Sequence, residues 1–127
     1  MSDSIRITRD PTAPGPIVRG FAANGFRVGE VAYPALLLAP DWHEGWTPPA
    51  FDAIDMAAVE SLIAERPEFL LLGTGATLRH PPARFRAAMD ARGLGIEAMD
   101  SRAAARAWGV LRSEARLIVA AIYPLDA

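Results

Sequence analysis

Neither cysteine nor lysine occurs in this chain of 127 residues, and all 13 of its basic residues are arginine. Without cysteine there are no disulfides, thiol nucleophiles, Cys-ligated zinc sites or iron–sulfur clusters. Without lysine there is no Schiff-base or pyridoxal-phosphate lysine and no Walker-type phosphate loop. Long apolar runs are missing too. The longest, residues 35–39 and 117–123, fall far short of the ~18 residues a membrane-spanning helix requires and read as buried strands. The opening Met1, Ser2, Asp3 and Ser4 place an acid where a signal peptide needs a basic segment, and no apolar segment of about 7 to 15 residues follows. A soluble bacterial protein of the cytoplasm is expected, meeting the inner membrane only through a partner. The use of Ala and Arg in place of Lys reflects a GC-rich genome and has chemical meaning only in what it forbids.

Hydrophobic residues make up 51% of the chain and charged residues 22%, with a net charge of −2. A chain of this size fits one domain, residues 1–127, that buries roughly two thirds of its unfolded surface; residues 1–18 are expected to be partly flexible. Charge is uneven along it. Residues 1–78 hold 5 Arg against 10 acids, whereas residues 79–116 hold 8 Arg against 4 acids. Such a split marks either a face for acidic partners or the solvated surface of Arg-bearing helices.

The first fifty residues punctuate like β structure. Short strands are expected at 5–7 and 17–22, with a Pro-Gly-Pro turn at 14–16 between them. Asn24-Gly25 suits a tight hairpin leading into a strand at 26–31, and residues 35–39 form another strand. A Pro-rich, aromatic loop is expected over 41–51. Asp52 and Asp55 are helix caps for a segment carrying Met56, Val59, Leu62 and Ile63 at helical spacing, stopped by Arg66-Pro67. A strand at 69–72 then ends in Gly73-Thr74-Gly75. Pro81-Pro82 opens a second helix with Phe85, Ala88 and Met89 inward. Residues 96–99 form a strand, Asp100 or Ser101 caps a third helix bearing Ala104, Trp108 and Leu111, and residues 117–123 form the last strand. The order predicts an α/β three-layer sandwich with a mixed central sheet, helices packed on it and an antiparallel hairpin region on one side.

Glycines at a strand end let backbone N–H groups approach a ligand, and parallel strands ending at 72 and 99 would bring Gly73, Thr74, Gly75, Asp100 and Ser101 to the edge where open α/β sheets bind ligands. A dinucleotide fingerprint fails because Leu78 stands where its third glycine belongs. Arg106 would pair an acidic ligand group there. Arg102, Arg106, Gly109 and Ser113 make one stripe of the third helix. Trp42 and Trp46, in a loop with His43 and Glu44, read with Arg102 as a partner-binding surface. No metal is expected, since Thr47 breaks the H-E-x-x-H pattern; His80 stands alone. Ser2, Ser4, Ser61, Ser101 and Ser113 lie outside any G-x-S-x-G elbow, so no catalytic residue is assigned. No cofactor is expected.

Residues 69–75 (FLLLGTG), Pro82, residues 95–106 (GIEAMDSRAAAR), Val110-Leu111, Glu114 and Arg116, with residues 36–41 (LLLAPD) and Trp46 upstream, together resemble a Mth-like domain family of largely unknown function. Its eukaryotic members include a mitochondrial complex I assembly factor and an adipogenesis-associated Mth-like domain protein. The family usually has Thr, an aromatic and Asn where this chain has Ala107, Trp108 and Gly109, and often Cys at Ala105. The resemblance implies a three-layer fold with one antiparallel strand in the main sheet, no established reaction, and a role in assembling a membrane-bound NADH dehydrogenase. The expected function is therefore a non-enzymatic interaction or assembly factor whose partner is another protein, a respiratory complex subunit or co-assembly factor. Two other readings stay open: an acidic small molecule or substrate at the Gly73-Thr74-Gly75 edge, and RNA binding through Arg84, Arg86, Arg102 and Arg106, which pI 5.6 and the lack of lysine weaken.

Overall fold

The computed structural model describes residues 7–8, 15–22 and 25–127. Residues 5 and 6 of the expected first strand, the Asn24 turn residue and most of the segment expected to be flexible lie outside the described residues.

A six-stranded mixed sheet runs through the middle, in the order β1 (Ile7–Thr8), β6 (Trp42–Gly45), β5 (Leu36–Leu38), β9 (Val119–Ile122), β7 (Phe69–Gly73), β8 (Gly95–Met99). Strands β8, β7 and β9 are parallel, β5 is antiparallel to β9, and β6 and β1 continue antiparallel from it. The chain moves from β7 to β8 through helix α2 (Ala83–Ala91), then returns past β7 to β9 through α3 (Ser101–Ser113). Right-handed crossovers running in opposite directions put their helices on opposite faces. Accordingly, Phe85 and Met89 of α2 join one apolar cluster, and Ala104, Ala105 and Trp108 of α3 join the other.

The β7 sequence shows how one strand serves both layers. Leu70 and Leu72 point to the α2 side and Leu71 to the α3 side, each at most 1% exposed. A strand covered on both faces reads as a continuous apolar run rather than an alternating one. On the α3 side lies the expected antiparallel unit, with β2 (Gly20–Ala22) pairing β3 (Gly25–Val28) through Phe21↔Phe26. It extends to a third strand, β4 (Val31–Tyr33). Phe26 and Val28 pack there with Leu36, Leu38 and Trp108.

Two expectations are corrected. Residues 41–51 are not all loop, because Trp42–Gly45 is strand β6, joined to β5 by a two-residue turn in which the Ala39 N–H bonds the Trp42 carbonyl at 2.9 Å. Trp42 and His43 are buried on opposite faces, so the strand lacks the apolar–polar alternation that would have shown it. The single helix expected after Asp52 is broken instead. It comprises a 3-10 turn at Phe51–Ala53, a second at Met56–Val59 and the short α1 (Glu60–Ile63). Asp55 caps the second turn by accepting from the Ala58 N–H at 3.2 Å. Ile54, Val59, Leu62 and Ile63 still face the core. Their spacing serves a sequence of tight turns as well as it serves a helix.

Candidate functional site

Strands β7, β8 and β9 deliver Gly73, Met99 and Ile122 to one end of the sheet, and Gly73-Thr74-Gly75 leaves the sheet there beside the start of α3. The predicted neighbours do come together. Asp100 is the N-cap of α3, its carboxylate accepting from the Ala103 N–H at 2.9 Å. The Ser101 hydroxyl accepts from the Gly75 N–H at 2.8 Å and donates to the Tyr123 carbonyl at 2.7 Å. The Ser101 N–H in turn bonds the Gly75 carbonyl at 2.8 Å. Thr74 gives its N–H to the Met99 carbonyl at 2.9 Å and its hydroxyl to the Thr77 carbonyl at 2.7 Å. That hydroxyl also accepts from the Arg79 N–H at 3.0 Å, while Arg79 Nε donates to the Thr74 carbonyl at 2.9 Å.

This arrangement uses the polar groups of the edge on one another. Thr74 and Ser101 are both 0% exposed. The two glycines have structural causes of different kinds. A Cβ on Gly73 would stand 2.8 Å from the Ile122 side chain and 3.0 Å from the Ser101 hydroxyl. Gly75 sits at φ +108°, and a Cβ there would run into the backbone carbonyl of Ala127. The Ala127 carbonyl also accepts from the Ala76 N–H at 3.0 Å. The close approach read from the sequence is real, but what approaches is the chain itself.

Beside this seam stands an aromatic group. Trp46 and Phe51 meet the Tyr123 ring edge-on at centroid distances of 5.0 and 5.3 Å. The Tyr123 hydroxyl donates to the Pro49 carbonyl at 2.9 Å, and burial pushes its pKa up to about 12. Arg79 lies 4.2 Å over the Phe51 ring. Nothing in the sequence singled out Arg79 or Tyr123; only Tyr123's place at the end of an apolar strand hinted at its burial.

The expected partner surface is redistributed. Trp42 is 3% exposed, with its indole N–H on Glu65 at 2.8 Å, and Trp46 is packed against the core, so neither forms an exposed lip. Both rings cover one face of the sheet, which is where aromatic area is most stabilising. His43 is buried, its Nε2 3.2 Å from the Tyr33 hydroxyl. Arg102 is exposed and lies 4.3 Å over the Phe21 ring, tying α3 to the small sheet. Arg106 is exposed, away from the seam's hydrogen bonds. Arg84 and Arg86 are on α2 and Arg102 and Arg106 on α3, so the four lie on opposite faces of the sheet and make no single basic patch. Among the described residues no group of His, Asp and Glu could hold a metal ion.

The fold is thus a three-layer α/β arrangement whose strand-end hydroxyls, Thr74 and Ser101, are hydrogen-bonded within the chain. The protein belongs to the family described as protein of unknown function (DUF498/DUF598), whose model matches residues 18–123. It is 34% identical over 119 residues to an uncharacterized protein of Rhodobacter capsulatus, covering 92% of both chains. It is 26% identical over 126 residues to NADH dehydrogenase (ubiquinone) 1 alpha subcomplex assembly factor 3 of Danio rerio, covering 95% of this chain and 71% of that protein. The solution structure of a Mth938-like domain from Bordetella pertussis superposes with a TM-score of 0.76 at 25% identity, covering 94% of this chain and 92% of that one. The Mth-like resemblance read from the sequence is therefore correct. Among the described residues no helix is long and apolar enough to cross a membrane.

Proposed function

We propose that this protein is a non-enzymatic assembly factor that acts by binding another protein, a subunit or co-assembly factor of a respiratory NADH dehydrogenase. The observation that carries the reading is the 26% identity to the zebrafish assembly factor across nearly the whole of this chain. The geometry of the strand ends supports it. In an open α/β sheet this is where a ligand is expected, yet here the Thr74 and Ser101 hydroxyls and the Gly75 N–H are bound within the protein. A protein that works through contacts needs a stable scaffold and no reacting group.

Deleting the gene and resolving respiratory complexes on native gels tests this. Loss of assembled NADH dehydrogenase, restored by the intact gene, is the expected outcome. Normal amounts of the complex with normal NADH oxidation in the deletion strain would overturn it.

A further inference from the structure

The two ends of the main sheet differ. At one, β6 is followed by β1; at the other, β8 is the last strand, and among the described residues no hydrogen bond reaches its outer backbone groups. An unpaired strand edge is a template for another chain, and proteins that must keep it bare shorten it, bulge it, or place charged residues or Pro on it. β8 has five residues in unbroken register with β7, with no Pro and Glu97 as its one charge.

The two faces beside this edge have different chemistry. Ile96 and Ala98 point to the α2 side, where they line a groove of about 220 Å³ with Leu78, His80, Pro81 and Arg86. Leu78 is 53% exposed, one of the few large apolar side chains among the described residues left open to solvent. Glu97 points to the other side and is exposed. A strand added to β8 would therefore set alternate side chains against Ile96, Ala98 and Leu78 in a groove of mixed polarity walled by Arg86 and His80, and the residues between them against a carboxylate.

A second copy of this chain fits poorly. Antiparallel pairing that uses all five residues of β8 about a two-fold axis centres on Glu97 and sets two carboxylates directly opposite on one face, which is destabilising. Shifting the register to avoid this shortens the ladder. We propose instead that the outer edge of β8 receives an extended segment of a partner protein with an apolar–basic–apolar sequence. The basic residue pairs Glu97, the apolar residues cover Ile96 and Ala98, and an acidic residue at the next groove-facing position meets Arg86. This deepens the assembly-factor reading and rests on it, naming the kind of segment the partner presents. Main-chain hydrogen bonds give such a complex its affinity, and the alternate side chains give it specificity.

The test uses the whole protein and the capped peptide Glu-Ser-Val-Lys-Val-Ser-Glu, whose pattern is the same in both strand directions. Titration followed by NMR should shift the amides of residues 94–99 and the groove residues Leu78 and Arg86. Methylating the backbone nitrogens of both Val residues in one peptide, and of Ser and Lys in another, should abolish binding in one of the two, because one set faces β8. The exposed substitution Glu97→Arg should weaken binding roughly three- to tenfold, as expected for reversing a cross-strand charge pair, and a peptide with Glu in place of Lys should recover it. Absence of binding at millimolar peptide, shifts elsewhere, equal binding of both methylated peptides, or a dimer strengthened by Glu97→Ala would each overturn the proposal. The deletion strain separates this from the parent reading. If Glu97→Arg restores the NADH dehydrogenase as well as the wild type does, the edge proposal fails and the assembly role stands. If the peptide binds as expected while deletion leaves the complex intact, the edge stands and the assembly role fails.

Discussion

Tyr123 and Ser101 hold the strand ends together by opposite means, one filling space and the other joining backbone. The buried Tyr123 hydroxyl donates to the Pro49 carbonyl, and its pKa is raised from 10 to about 12 by burial. Folding thus favours the neutral phenol. Its contribution is complete below pH 10 and is lost as the pH climbs toward about 12, where the native state ionises too. In a Tyr33→Phe variant the absorbance titration of the remaining tyrosine should have its midpoint near 12, and unfolding at high pH should bring it down. A midpoint at 10 in the folded protein would show that the ring is not enclosed as described. Ser101 is the link between Gly75 and the carbonyl of Tyr123. Ser101→Ala leaves a buried N–H and a buried carbonyl each short of a partner, a loss of about 1–3 kcal/mol. Gly73→Ala forces a methyl to within 2.8 Å of Ile122 and should cost about 1–3 kcal/mol through overpacking. Urea denaturation would read both, and a neutral result at either position would mean that the seam relaxes freely.

The elements differ in how openly the sequence declares them. α3 is capped by Asp100, one of the two residues that suited the cap, and keeps Ala104 and Trp108 inward at the expected spacing. Gly109 lies inside this helix and marks neither its end nor a close approach of another part of the chain. The helix continues to Ser113, and a Cβ at Gly109 would meet nothing within 4 Å. Gly109→Ala should therefore stabilise the protein by about 0.5–1 kcal/mol, the backbone-entropy cost of glycine in a helix, seen as a rise in Tm; a fall would reveal a neighbour the helix face does not show. Strands β7 and β9, with their apolar runs, were legible for the same reason as α3: packing on the sheet dictates their residue types. β6 was not, because Trp42-His43-Glu44-Gly45 buries an indole on one face and an imidazole on the other, a pattern no period reveals. The seam was legible in its membership and not in its meaning. Gly73, Thr74, Gly75, Asp100 and Ser101 are neighbours as topology requires, but glycine at a strand end signals close approach without saying what approaches, and Ala127 and Ser101 do so from distant parts of the chain.

At the scale of the molecule, both apolar clusters hang on one sheet, and β7 supplies Leu70 and Leu72 to one and Leu71 to the other. A layer cannot be lost without exposing the strand residues of the face it covers, while the residues of the opposite face alternate with them one position apart. The two layers are therefore expected to unfold together although each packs on its own face of the sheet. The tryptophans report on each side separately. Trp42 belongs to the α2 cluster, and Trp108 belongs to the α3 cluster with its indole N–H on the Pro16 carbonyl at 2.7 Å. In a variant that keeps Trp42 alone and in one that keeps Trp108 alone, the others changed to Phe, the fluorescence midpoint in urea should coincide with the far-UV circular dichroism midpoint of that same variant. Coincident probes indicate a single transition. Leu71→Ala and Leu72→Ala, on opposite faces of one strand, should each cost about 2–5 kcal/mol and shift both probes together. If Leu71→Ala moved the Trp108 signal and left the Trp42 signal in place, the sheet would be a hinge between two independently stable layers rather than the common wall that makes them one cooperative unit.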